Sequence, residues 1–129
     1  VSPEIEMLAD RVVNAAIEVH SILGPGFQES AYEDALCQEF TLRNFQFGRQ
    51  HEVFLTYKGI HIGKGRIDLW VERKLILELK AVDTLLPVHH AQVISYLKLT
   101  GCEMGLLLNF NTVLLKHGMA RVVHPSLIR

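Results

Sequence analysis

Two short runs separated by three residues constrain this chain more than any other feature. Successive side chains of a strand face opposite sides. Along Arg66–Val71 one side is Ile67, Leu69 and Val71, and the other is Arg66, Asp68 and Trp70. Along Leu75–Ala81 one side is Leu75, Leu77, Leu79 and Ala81, and the other is Ile76, Glu78 and Lys80. If the two strands form an antiparallel hairpin, their apolar sides must share one face, so odd residues pair with odd and even with even. A two-residue loop at Arg73-Lys74 pairs Leu69 with Glu78 and breaks that rule. The three-residue loop Glu72-Arg73-Lys74 pairs Val71 with Leu75, hence Asp68 with Glu78 and Arg66 with Lys80.

Two carboxylates are thereby expected to face each other, with β-carbons about 4.5–5.5 Å apart. At an effective dielectric near 20 they repel by about 3 kcal/mol. A proton, a lysine or a metal ion must offset that, and Lys80 supplies one positive charge on the same face. A divalent cation with oxygen ligands supplies more; Mg²⁺ typically takes one or two carboxylates, with waters and phosphate oxygens. An ordinary solvated face, with both acids in water and Lys80 incidental, fits the bare spacing as well, because such spacings often arise by chance.

The rest of the chain reads as helices and strands around this pair. Ser2 and Pro3 form a helix start. Ile5, Leu8, Val12, Ala15, Ala16, Val19, Ile22 and Leu23 recur at helical spacing until Gly24-Pro25-Gly26. A second helix is predicted from about Gln28 to Arg43. Strands are predicted over Gln50–Tyr57, Ile60–Val71 and Lys74–Val82, then a helix from Pro87 through Leu99. Met104–Phe110 and Val113–His117 read as a hairpin turning at Asn109–Thr112, with a last short strand near Arg121–His124. The order ααβββαββ(β) predicts a mixed α/β (α+β) fold with one sheet flanked by helices.

The 129 residues suit one domain, 1–129, and the 49% hydrophobic fraction suits a real core. The opening segment lacks the pattern of a secretory signal, and no apolar run is long enough to span a bilayer. No membrane association is expected, and a soluble cytoplasmic protein is the plain reading. Cys37 and Cys102 have neither metal-ligand nor disulfide spacing, so reduced, buried thiols are expected. A net charge of −1 gives no bulk attraction to phosphate. A local basic rim from Lys58, Lys64, Arg66, Arg73 and Lys74 is compatible with that total.

Two further signals accompany the acids. Gly26 precedes a helix on which Glu29 and Tyr32 lie one turn apart on one face. Gln92 and Tyr96, i and i+4, share a face of the helix that follows Lys80. Singly, the tyrosines read as core-edge residues and Glu29 as a helix-start acid. As an ordered set, Gly26-x-x-Glu29-x-x-Tyr32, Asp68, Glu78-Leu79-Lys80 and Gln92-x-x-x-Tyr96 resemble the GxxExxY proteins, a compact branch of the PD-(D/E)XK nuclease superfamily. The likeness covers about the whole chain. The Gln-x-x-x-Tyr element is similar to that of the RecB-like exonuclease branch. No proline precedes Asp68, where Ile67 stands, and many members of the superfamily lack that proline.

The resemblance implies a restriction-endonuclease-like core and a metal-dependent nuclease that hydrolyses phosphodiester bonds, DNA ahead of RNA, by metal-activated water. It implies Mg²⁺ or Mn²⁺ held by Asp68, Glu78, the Leu79 carbonyl and Glu29. Lys80 would act on the attacking water and on transition-state charge. Gln92 and Tyr96 would orient the phosphate backbone or Lys80, and Tyr32 would brace Glu29. The competing reading is a catalytically inactive module of the same fold that binds nucleic acid or a protein partner. No oligomeric state follows from the sequence.

Several other residues invite roles. Histidines 89 and 90 point about 100° apart on a helix, which suits helix-start residues better than a chelating pair. Trp70 shares the even face with Asp68, where sealing the cleft against a helix is the simpler role than base stacking. Gly63-Lys64-Gly65 lacks the strand-to-helix setting of a phosphate loop and reads as a bend or bulge.

Overall fold

The computed structural model describes residues 1–128. The elements are α1 (Pro3–Leu23), α2 (Glu29–Leu42), β1 (Phe47–Tyr57), β2 (Ile60–Val71), β3 (Leu75–Lys80), α3 (Pro87–Thr100), β4 (Met104–Asn109) and β5 (Met119–Val123). One 3₁₀ turn, Leu115–Gly118, precedes β5 and another, Pro125–Leu127, follows it. The fold is α+β, as the sequence predicted: one mixed five-stranded sheet in the order β1-β2-β3-β4-β5. Only β3 and β4 run parallel. Parallel neighbours need a crossover, and α3 provides it.

Both faces of the sheet are covered. Leu69, Val71, Leu75, Leu77 and Leu79 pack with α1 and α2, including Val12, Ala16, Leu36 and Phe40. Ile76 faces the other way and packs with Val93 and Leu97 of α3 and Leu107 of β4. These core strands are therefore apolar on both sides, as buried parallel strands require. Ser2 is the α1 N-cap, yet its hydroxyl makes no capping bond. Its amide instead donates to Glu103 Oε1 at 2.7 Å, tying the helix start to the β4 approach. Gly101, at φ 77°, ends α3 in the left-handed conformation that glycine favours.

The β2–β3 turn has the predicted register: Val71 pairs with Leu75, Trp70 with Ile76 and Leu69 with Leu77. Two expectations fail. Arg66 does not pair with Lys80; it lies opposite Glu52 of β1, while Lys80 lies opposite Asn109 of β4. The segment 113–117 is not a strand. Val113 and Leu114 are exposed, only Leu115 enters the core, and the return strand against β4 is β5, starting at Met119. The apolar run resembles a strand, but side-chain bonds hold this segment in a compact turn. His20 Nε2 bonds the Phe110 and Thr112 carbonyls, and the Thr112 hydroxyl donates to the Leu114 carbonyl.

β1 starts at Phe47 and so reaches three residues further back than predicted. Cys37 and Cys102 are both free; Cys102 is buried as expected, but Cys37 is only half-buried. Among the described residues, no helix is long and apolar enough to cross a membrane.

Candidate active site

Beyond Leu69 and Leu77 the β2–β3 ladder stops, and side chains replace backbone partners. The Asp68 amide donates to Glu78 Oε2 at 2.8 Å, and the Leu79 amide donates to Asp68 Oδ2 at 2.9 Å. Each acid thus caps the strand opposite its own. The strands part here because their continuations have other neighbours: β2 stays with β1, and β3 stays with β4. The register at the turn brings the two acids near each other, and the parting leaves the Asp68 and Leu79 amides to their carboxylates.

Burial disfavours the negative charge gathered at this fork, and Lys80 offsets part of it. Burial pushes the Glu78 carboxyl up to about 8, and the neighbouring Asp68 charge adds to the effect. Burial also raises Asp68, while its bonds from the Leu79 amide and Gln50 oppose the rise. Glu29, the first residue of α2, is raised by burial and then by Asp68, with Lys80 opposing. These mutual effects place Glu29, Asp68, Glu78 and Lys80 within one electrostatic neighbourhood.

Lys80 Nζ donates to Gln92 Oε1 at 3.4 Å, and Gln92 Nε2 donates to the Tyr96 hydroxyl at 3.4 Å. The Arg66 amide donates to the same hydroxyl at 3.3 Å. Gln92 and Tyr96 therefore connect the lysine on β3 to the backbone of β2. This connection needs a bare backbone beside Tyr96: a β-carbon on Gly65 would stand 2.9 Å from the ring and the hydroxyl. Gly65 is a close-approach position, a more specific role than the predicted bend. The chain leaving Lys80 is held as well. The buried Asn109 side chain accepts from the Val82 amide at 3.1 Å and donates to the Val82 carbonyl at 2.9 Å.

Tyr32 is the residue whose expected contact is not found. Its hydroxyl donates to the Gly24 carbonyl at 2.6 Å and accepts from the Phe27 amide at 3.2 Å, rather than reaching Glu29. Its ring stacks on Phe110 at 4.6 Å. It fixes the loop that leads into the helix carrying Glu29. The reason is position: Tyr32 lies wholly inside the protein, whereas Glu29 is the first residue of the helix.

Two residues were missed. Gln50 Nε2 donates to Asp68 Oδ1 at 3.2 Å and to Glu33 Oε1 at 2.6 Å, joining β1, β2 and α2. Glu33 is buried and also accepts from Arg49 Nε at 2.7 Å. Gln50 has φ 51°, rare outside glycine, and Ile67 packs on the α3 side although Leu69 packs on the α1–α2 side. The sheet is therefore irregular beside Asp68. The one available signal was the i, i+4 pair Glu29 and Glu33. Trp70 lies beside the α3 core cluster, with Arg73 over its ring and His51 at its edge. His89 Nδ1 accepts from the Leu86 amide at 3.0 Å, a helix-start role as predicted.

This arrangement sits inside the span 6–122, which matches the family model described as the PD-(D/E)XK nuclease superfamily. The chain belongs to the PD-(D/E)XK nuclease superfamily. Nucleases of this superfamily generally use divalent metals such as Mg²⁺. No curated protein matches the chain. Among solved structures it is similar to SSO0001, at 17% identity and a TM-score of 0.48, over 91% of this chain and 77% of that one. So distant a likeness says nothing of function.

The superfamily's metal can be tested against the donors present. Asp68 and Glu78 offer hard oxygens, and their crowded negative charge favours a hard cation. One oxygen of each acid accepts a backbone amide; of the other two, Asp68 Oδ1 takes the 3.2 Å bond from Gln50, and Glu78 Oε1 accepts no hydrogen bond among the described residues. Among the described residues, no three His, Cys, Asp or Glu side chains converge in a geometry that could hold a metal ion. The donor chemistry fits a divalent ion; completing its shell requires backbone, solvent or phosphate oxygens.

Proposed function

We propose that this PD-(D/E)XK superfamily member is a Mg²⁺- or Mn²⁺-dependent nuclease that hydrolyses phosphodiester bonds, with DNA as the first substrate to test. The observation that carries the reading is the interlock of Asp68 and Glu78 at the strand fork, with Lys80 beside it. Two carboxylates raised chiefly by burial, with the Asp68 charge adding to the rise at Glu78, are a poor structural device and a good cation site.

In this reading Asp68 and Glu78 would hold the ion, helped by the Leu79 carbonyl, with Glu29 contributing directly or through water. A bound divalent cation supplies Lewis-acid polarisation of the phosphate and lowers the pKa of a water molecule. Lys80 directs its ammonium protons at the reacting phosphate and stabilises the added negative charge. Gln92 fixes the lysine through its carbonyl oxygen, and Tyr96 fixes Gln92. Tyr32 acts at one remove, by holding the loop before Glu29. The Gln92-x-x-x-Tyr96 pair supports an exonuclease of the RecB-like kind, and Gly26, Glu29 and Tyr32 support the GxxExxY branch.

A second reading has an observation of its own: both acids accept backbone amides, as carboxylates retained for structure would. It makes the chain an inactive module of the nuclease fold that binds nucleic acid or a protein. Incubating the purified chain with single- and double-stranded DNA and RNA, with EDTA, Mg²⁺ or Mn²⁺, separates the two. Cleavage of DNA only with metal is expected. Nucleic-acid binding without cleavage under any of these conditions selects the inactive module.

A further inference from the structure

Gln50 has a backbone conformation that its side chain makes costly. Its φ of 51° lies in the left-handed region, where a β-carbon is crowded and glycine is at ease. The strain sits at a single rung of the sheet. Pairing of β1 with β2 runs through Arg49–Leu69 and His51–Ile67 and skips Gln50 and Asp68 between them. Residues two apart in a regular strand share a face. Here they do not, on either strand. Arg49 reaches Glu33 and Asp34 of α2, whereas His51 meets the edge of Trp70 on the α3 side. Leu69 packs towards α1 and α2, whereas Ile67 packs towards α3. Both strands turn over at one rung, and that rung holds Asp68.

Packing does not call for glutamine at this pivot. Gln50 is exposed and belongs to neither hydrophobic cluster. Glycine would adopt the same backbone without strain, so what glutamine adds there is its amide. Strain of this kind, unexplained by packing, points to a function.

The amide has two partners, and both are carboxylates. Nε2 donates to Glu33 Oε1 at 2.6 Å and to Asp68 Oδ1 at 3.2 Å. That fixes its orientation, because a flipped amide would set a carbonyl oxygen against two acceptors. Glu33 is fixed in turn: it is buried, and its other oxygen takes Arg49 Nε at 2.7 Å. Asp68 is therefore held at both oxygens, Oδ2 by the Leu79 amide on β3 and Oδ1 by Gln50 on β1. Each carboxylate oxygen can accept a second partner. A carboxylate pinned in this way offers its remaining lone pairs to a cation in a set direction, as groups behind metal ligands commonly ensure.

We infer that Gln50, anchored on buried Glu33, is a positioning residue of the metal site, holding Asp68 Oδ1 in place for a divalent cation. The inference rests on the metal-dependent reading above and extends it to a residue that acts only through Asp68. Mn²⁺ titration of the purified chain, with the free ion followed by electron paramagnetic resonance, tests it. Gln50→Gly deletes the amide and suits the backbone, so its melting temperature in EDTA is expected to match the wild type. Its affinity for Mn²⁺ is expected to fall about 10–100-fold, the usual loss when a group that orients a metal ligand is removed. Equal affinity in the two proteins, or tighter binding by the variant, overturns the inference and leaves the metal reading standing. Weaker binding together with a lower melting temperature in EDTA assigns Gln50 to stability and overturns it as well. A wild type that binds no Mn²⁺ removes the metal reading itself, and the role of Gln50 with it.

Discussion

Asp68 and Glu78 hold each other's strands open. The Asp68 amide is bonded to the Glu78 carboxylate, and the Asp68 carboxylate takes the Leu79 amide, so the two acids replace the last rungs of the β2–β3 ladder. Their proximity is thus fixed through two backbone amides, one on each strand.

That geometry fixes a pH dependence in the absence of metal. A Glu78 carboxyl raised from 4.5 to about 8 keeps its proton in the folded chain over a range where the unfolded chain has lost it. The folded state then binds more protons, so stability falls as pH rises across that window. Asp68 and Glu29 shift in the same direction. In EDTA, the melting temperature is expected to decline between about pH 5 and pH 8, and Glu78→Gln to flatten the decline. An equally steep decline in the variant would assign it to other groups.

A metal ion should offset the cost of burying these carboxylates in charged form. Mg²⁺ or Mn²⁺ is expected to raise the melting temperature of the wild type at neutral pH, by linkage to the folded state alone, and to leave Asp68→Asn unmoved. Equal shifts in the two proteins would place the ion elsewhere.

Lys80→Ala is expected to reduce cleavage by at least about 100-fold, the usual loss when one charge-stabilising donor is removed. Melting should change little, since Lys80 makes only the 3.4 Å bond to Gln92. Retained activity removes Lys80 from the chemistry.

The contact between Gly65 and Tyr96 allows a test of the supporting layer. Gly65→Ala forces a β-carbon against the Tyr96 ring and is expected to cost about 1–3 kcal/mol. Combined with Tyr96→Ala the cost should fall below the sum of the single variants, as measured by denaturant unfolding. Strict additivity would show that the two residues do not meet.

Tyr32→Phe removes a hydroxyl that serves both Gly24 and Phe27. A loss of about 1–2 kcal/mol is expected, with faster proteolysis near Gly24–Phe27. Unchanged proteolysis and melting would show that the loop holds itself.

The amino-acid sequence by itself determined the parity of the central strands and therefore the pairing of Val71 with Leu75. It also determined the helix that follows Lys80 and the shared face of Gln92 and Tyr96. Alternation and helical spacing are local properties, written within a few residues of chain. The tertiary structure decided where β2 and β3 part, because that depends on β1 and β4 claiming their outer edges. It decided that Gln50 and Glu33 meet Asp68, that Tyr32 turns to the loop rather than to Glu29, and that the 113–117 run forms a turn. Each of these depends on a partner far away in the chain, and no local pattern records which partner a polar atom will find.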